Sequence, residues 1–368
     1  MRVVCFTHSL ASCWNHGNAH FLRGVLSELL GRGHEVRSYE PADGWSRQNL
    51  TADHGGAALD GFARHYPELA RHAHFIGPDL DAMLEGADLV LVHEWTDPEL
   101  VAAIGRRRLH GDFLLLFHDT HHRAVSDPGA IGRLDLSAYD GVLAFGEALA
   151  QVYRALGWGA RAFVWHEAAD TRRFHPPAVE GERNGIVWIG NWGDEERSEE
   201  LRDYLLRPAA ALGLKLDVHG VRYPPHARAA LAAAGAQYRG WLPNAEVPSV
   251  FARHMFTVHV PRRFYATHLP GIPTIRVFEA LACGIPLVCA PWVDAEALFQ
   301  LGRDFLMARS PGEMLENMRA LAADGALRRT LAAAGRAAIE ARHSCAHRVD
   351  ELLEIATRLG STPRQEAA

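Results

Sequence analysis

The chain has 368 residues, of which 48% are hydrophobic and 22% charged, with a formal net charge of -6. That length is too great for one ordinary core and suits two domains, and the mildly acidic balance speaks against the concentrated basic stripe of a nucleic-acid binder. Lys215 is the only lysine, so a P-loop of the G-x-x-x-x-G-K-[ST] form is excluded, and any phosphate clamp must use Arg, His, backbone N–H groups or a metal.

The first apolar run, Val3–Phe6, is too short for a signal peptide and predicts a buried strand. No stretch approaches the roughly 20 apolar residues of a membrane span, so no integral membrane segment is expected. Cys5, Cys13, Cys283, Cys289 and Cys345 form no C-x-x-C pair, which predicts reduced thiols in a cytoplasmic protein. A polar loop, His8–His20, then leads into a helix over His20–Leu30, whose apolar face ends at Gly31 and Gly33. Asn18 and His20 are candidate cleft contacts; Asn18 is equally suited as the helix N-cap.

Strands are predicted at Glu35–Tyr39, Leu89–His93, Phe113–His118, Gly141–Phe145 and Ala162–Trp165, with helices at Pro98–Arg107 and Glu147–Leu156. Continuous apolar runs indicate strands buried on both faces, as in a parallel sheet, and the alternation of strands with helices indicates an α/β doubly wound domain. Two strand ends carry titratable clusters. One is His93-Glu94-Trp95, where His93 and Glu94 are candidate cleft contacts. The other is His118-Asp119-Thr120-His121-His122-Arg123. There His118, Asp119 and His121 are the candidate catalytic residues, with His122 competing with the other two histidines and Asp119 suited to orient one of them or act as a base. His118-x-x-His121 with Asp119 is also a metal-like spacing, but it lacks a third ligand set, so no metal is assigned.

The apolar rhythm lapses between Glu167 and Glu182, where a polar double-proline segment reads as a connection. The expected division is 1–169 and 170–342, with 343–368 a C-terminal helix, free to pack back on the first domain, and a frayed tail. In the second domain strands are predicted at Gly185–Ile189, Lys215–His219, Gln237–Arg239, Phe256–Val260, Pro286–Cys289 and Asp304–Met307. Helices are predicted at Ser198–Leu212, His226–Ala234, Ala245–His254, Thr274–Ala282, Ala295–Phe299, Pro311–Ala323, Ala326–Arg342 and Cys345–Leu359. Doubly wound domains bind ligands at the carboxyl ends of their strands. His343 and His347 read as a metal pair or, more simply, as solvated helix histidines.

The segment His268–Val288 is a Gly/Pro turn, a short helix, a Gly cap and a buried strand. Its helix N-terminus favours a phosphate. Arg276 and Glu279 lie one helical turn apart, which suits either a diphosphate and ribose clamp or an internal salt bridge. The Arg-Val-Phe-Glu-Ala-Leu-Ala-Cys-Gly-Ile-Pro-Leu-Val stretch resembles the signature of the group 1 glycosyl transferases. Within them it is most similar to the branch named for bacterial spore-maturation proteins.

The resemblance implies a GT-B fold, two Rossmann-like α/β domains facing across a cleft, and transfer of a sugar from a nucleotide-diphosphate sugar, with retention and without a metal or other cofactor. By it, Glu279 grips the donor ribose, and Gly271, Ile272, Thr274 and Arg276 lie near the diphosphate. Relatives carry a glutamate eight positions before the ribose carboxylate; here that position is Gly271, so that residue's role toward the transferred sugar has no counterpart. The strand and turn through Gly190, Asn191 and Arg197 resemble the family's first donor-domain strand, with Arg197 in the diphosphate-binding position or else an exposed helical arginine. Tyr238–Asn244, with Trp241 and Leu242, resembles the turn that meets the base. Asp170 and Phe174 match the hinge, as a turn cap and an interdomain plug.

The acceptor stays open between saccharide, lipid, protein and small metabolite. A GT-B sugar-nucleotide epimerase, a phosphorylase and a non-catalytic sugar-nucleotide-binding protein are the competing readings.

Overall fold

The computed structural model describes residues 1–15, 17–178, 182–193 and 195–360. The tail expected at Ser361–Ala368 lies outside the described residues. The chain divides into two compact units, Met1–Glu167 with Cys345–Ala368, and Ala168–Ser344.

The first unit is built on seven parallel strands: β1 (Arg2–Phe6), β2 (Glu35–Glu40), β3 (Ala73–Phe75), β4 (Leu89–His93), β5 (Leu114–Asp119), β6 (Gly141–Ala144) and β7 (Ala162–Val164). Their order is β3-β2-β1-β4-β5-β6-β7, so the winding reverses between β1 and β4. The central strands β4 and β6 are buried at every position, which is why their apolar runs do not alternate. β3 sits at the edge and is largely exposed; it has no apolar run and is absent from the sequence reading. The helix Cys345–Gly360 packs against the first helix, Ala19–Gly31. Trp165 Nε1 donates to the carbonyl of Arg348 at 2.8 Å, and Arg32 pairs with Asp350.

The second unit holds six parallel strands: β8 (Ile186–Ile189), β9 (Leu216–His219), β10 (Gln237–Gly240), β11 (Phe256–His259), β12 (Leu287–Cys289) and β13 (Leu306–Met307). Their order, β10-β9-β8-β11-β12-β13, reverses between β8 and β11. One face packs Trp188, Leu201, Val218, Phe256 and Met314; the other packs Phe174, Val187, Phe251, Phe278 and Ile339. Phe174 is therefore part of this unit's own core.

Three expectations are corrected. The helix predicted at Ser198–Leu212 contains a wide π turn over Arg202–Leu206, directly before Pro208, whose missing N–H and bulky ring disrupt regular pairing. Ala295–Phe299 is a turn: the Asp294 carboxylate accepts from the amides of Leu298 and Phe299 at 3.0 and 2.9 Å, and Ala297 takes φ 52°. The Asx side chain thus competes with the helix for those donors. Lys215 precedes β9 and is exposed, 3.9 Å from Asp217. No helix among the described residues is long and apolar enough to cross a membrane.

Candidate functional site

At the carboxyl edge of the first sheet, the loop after β1 is held by side chains the sequence reading did not single out. Glu40, 4% exposed, accepts from the amides of Leu10 and Ala11 and from Ser9 Oγ. Arg23 donates to the carbonyls of Leu10 and Ala11 and lies over the rings of Phe62 and Tyr66. Asn18 stands at the N-cap position but makes no side-chain cap bond; it has helical backbone angles, and both amide atoms are buried without a hydrogen-bond partner. His20 is fully buried in the same helix.

His93 and Glu94 end β4 beneath the surface, each 1% exposed. Glu94 accepts from the amide of Thr120 at 3.2 Å and from Arg123 Nε at 3.2 Å. His93 Nε2 lies 3.2 Å from Thr120 Oγ1. Asp119, completely buried, accepts from Tyr153 Oη at 2.6 Å and from the amide of His121 at 3.0 Å. The carboxyls of Glu94 and Asp119 share a hydrogen bond; burial pushes both up, and for Glu94 the neighbouring Asp119 charge adds to it against Arg123. Two buried carboxyls facing one guanidinium hold a proton more tightly than the same groups in water.

The three candidate histidines separate by burial. His118 is 1% exposed among Phe21, His93 and Trp165, and burial lowers its pKa to about 3. His122 is buried with Nδ1 2.8 Å from Ser126 Oγ. His121 is half-buried and stacks near Trp95 and His122. Above them lie two exposed tryptophans, Trp45 and Trp95, on either side of His8, with Arg123 3.9 Å over the Trp95 ring.

The proton held by the carboxyl pair has a measurable consequence. Because the folded state binds it more tightly than the unfolded chain, stability is whole below the ordinary Glu value of 4.5 and falls as pH rises toward the raised folded value. Glu94→Gln should flatten that fall, read as melting temperature against pH for wild type and variant.

At the carboxyl edge of the second sheet, the reversal between β8 and β11 gathers positive charge. Arg197 Nη1 donates to the carbonyl of Val260, just past β11, at 2.8 Å, and Nη2 to the carbonyl of Asn191, just past β8, at 2.7 Å. Its Nε is buried without a partner, and among the described residues no carboxylate lies within ion-pair distance. Burial, then the nearby Arg262, lowers its pKa to about 10. Gly193, at φ 95°, is needed here because a Cβ would lie 2.8 Å from Arg197 Nε.

His259 ends β11 at 3% exposure, with Nε2 3.1 Å from Thr274 Oγ1 and Nδ1 buried without a partner. Thr274 is the N-cap of the helix Ile275–Ala282 and makes no side-chain cap bond. Arg276 pairs with Glu279, whose other oxygen accepts from Asn244 Nδ2 at 2.8 Å; Glu279 is 0% exposed.

Gly271, at φ 92°, donates its amide to the carbonyl of Val293 at 2.7 Å, and Ile272 is buried. Gly190 approaches Gly220 closely and its carbonyl accepts from Tyr223, while Asn191 Oδ1 accepts from the amide of Val221. Trp241 and Leu242 are half-buried after β10. Trp192, Glu195, Arg222, Tyr223 and Pro224 line a cavity of about 540 Å³ in the loops after β8 and β9.

His259, Asn244 and Arg262 were not legible in the sequence. A titratable residue at the carboxyl end of an otherwise apolar strand was the available signal for the first. His343 is buried rather than solvated, its Nε2 donating to the carbonyl of Leu298 at 3.0 Å. Among the described residues no three His, Cys, Asp or Glu side chains cluster as a metal site.

Two parallel, doubly wound α/β units in tandem are the GT-B fold. Residues 197–354 match the family described as Glycosyl transferase-like. Solved structures share this fold. The sucrose-phosphate synthase of Thermosynechococcus elongatus is 13% identical, with a TM-score of 0.66 over 98% of this chain and 99% of that one. Anabaena Alr3699/HepE, in complex with UDP and glucose, is 14% identical, with a TM-score of 0.67 over 97% and 99%. T4 phage BGT, in complex with its UDP-glucose substrate, is 12% identical, with a TM-score of 0.57 over 97% and 99%. No curated protein matches the sequence. The family match is confined to residues 197–354, and the likeness to these structures is one of fold.

Proposed function

We propose that the protein is a glycosyltransferase that moves a sugar from a nucleotide-diphosphate sugar to an acceptor. The diphosphate is taken at the carboxyl ends of β8 and β11, beside the helix Ile275–Ala282. The observation that carries this reading is Arg197: a desolvated guanidinium bonded only to carbonyls, at the point where the strand order reverses. A buried cation without a counter-charge is costly, and an arriving anion offsets that cost. Thr274 and Arg276 stand beside the same helix N-terminus, where the dipole adds to the field.

When the sugar–phosphate bond breaks, the leaving diphosphate gains charge. Groups fixed in advance around it lower the barrier without reorganising. This stabilisation needs no metal ion; retention of configuration is the outcome implied by the resemblance to the group 1 enzymes and their spore-maturation-like branch. The acceptor is assigned to the first unit, where the exposed Trp45 and Trp95 flank His8. Asn18, His20, His93 and Glu94 are assigned to the same acceptor side.

Calorimetric titration with UDP, GDP, ADP, dTDP and CMP tests the reading. One nucleoside diphosphate is expected to bind well above the others. Binding by none of them would return the protein to a structural or non-catalytic role. Isomerised donor released without any acceptor would make it an epimerase.

A further inference from the structure

Resting on that reading, we propose that His259 is a ligand of the donor diphosphate and that it takes up a proton from solvent as the nucleotide-sugar binds. The geometry leaves its ring half satisfied. Nε2 faces the hydroxyl of Thr274, the N-cap of the helix Ile275–Ala282, while Nδ1 is buried with nothing to bond to. A buried polar nitrogen without a partner costs free energy in the resting protein. Its position at the end of β11 is the strand reversal itself, next to the carbonyl of Val260 that Arg197 holds.

The charges around the ring decide its protonation. From the loop after β8 comes Arg197, from the helix Ile275–Ala282 come Arg276 and Glu279, and from the segment after β11 comes Arg262. Glu279 is engaged by Arg276 and Asn244, and Glu196 by Arg262. The neighbouring strand β12 offers only Cys289, a buried thiol pushed up by desolvation. Burial, then Arg197 and Arg276, hold the imidazole neutral, its pKa lowered to about 3. A bound diphosphate reverses that balance: its charge outweighs the two arginines, and the ring gains a second N–H to donate to a phosphate oxygen. The neutral ring avoids a third cation beside the two arginines, and the protonated ring supplies one when the anion is bound.

The test is calorimetry with UDP-glucose, GDP-glucose and ADP-glucose at pH 6 and 7, each in buffers of different ionisation enthalpy. These nucleotide-sugars carry no phosphate titrating near neutrality, so a proton taken up belongs to the protein. For the nucleotide-sugar that binds, uptake should approach about one proton at the lower pH and vanish in His259→Gln, with affinity weakened roughly 10- to 100-fold. The wild-type affinity should also fall as pH rises. The uptake is read on the wild-type protein first, so a poorly folding variant does not leave the question open; His259→Asn serves as the second variant. Binding without proton uptake, or uptake that persists in both variants, overturns the role of His259 and leaves the donor site standing. Binding of none of the three, together with none of the free nucleotides, removes both.

Discussion

Replacing Arg197 with methionine is expected to lower kcat/KM for the nucleotide-sugar by roughly 10²- to 10³-fold, the scale of losing one fixed charge-stabilising donor, while the protein stays folded. The two halves of that expectation rest on the same contacts. Among the described residues Arg197 has no carboxylate partner; its hydrogen bonds go to the carbonyls of Asn191 and Val260, and its Nε has none. A guanidinium so placed is desolvated without the compensation that a buried ion pair provides, which is why its pKa falls to about 10. Methionine fills the same space over the Trp188 ring without the charge. Two carbonyl bonds are lost and one desolvation penalty is relieved, so the net change in stability should stay within about 2 kcal/mol in either direction. An arginine present for structure would show the opposite pattern: a large fall in melting temperature with kcat/KM of the surviving protein unchanged. Unfolding and turnover measured on one preparation separate the two.

Legibility in the sequence followed the physics of each element. Runs such as Leu89–His93 and Ile186–Ile189 declare themselves because a strand covered on both faces must be apolar throughout. The edge strand Ala73–Phe75 has no such requirement and leaves no trace. Ala295–Phe299 misled because its helix-forming composition is overruled by one carboxylate, Asp294, that captures two amides. At the site, the turn and helix around Glu279 were visible because their order of Gly, Pro and apolar residues is local. The partners that give Glu279 and Arg197 their character were not. Asn244 lies 35 residues from Glu279, and the carbonyl that Arg197 holds lies 63 residues away. Spacing along the chain carries no record of such pairings, and a carbonyl acceptor leaves no mark on side-chain identity. Burial set the half-exposed His121 apart from His118 and His122, a difference that spacing along the chain does not record.

Glu279→Ala should bring down both stability and nucleotide binding, so its effect on binding alone cannot assign the residue's role. The carboxylate is fully buried and holds Arg276 with one oxygen and the Asn244 amide with the other. Removing it strands a guanidinium that is 17% exposed and takes from Asn244 its charged acceptor. Breaking a buried pair from one side costs roughly 3–5 kcal/mol. For a unit of this size that is a fall in melting temperature of roughly 6–20 °C. A carboxylate accepts more than one hydrogen bond per oxygen, so a ribose diol would be a partner added to Arg276 and Asn244 rather than a replacement for them. The ligand, rather than the protein, separates the two roles. Wild type and Glu279→Gln are each titrated with the preferred nucleoside diphosphate and with its 2′,3′-dideoxy form, closing a cycle in which the structural cost of the substitution cancels. A carboxylate that receives the ribose hydroxyls gives a coupling of roughly 1.5–3 kcal/mol, the worth of hydrogen bonds to a charged acceptor. A coupling near zero makes Glu279 the residue that aims Arg276 at the diphosphate, and moves recognition of the ribose to other groups at the carboxyl edge of the sheet.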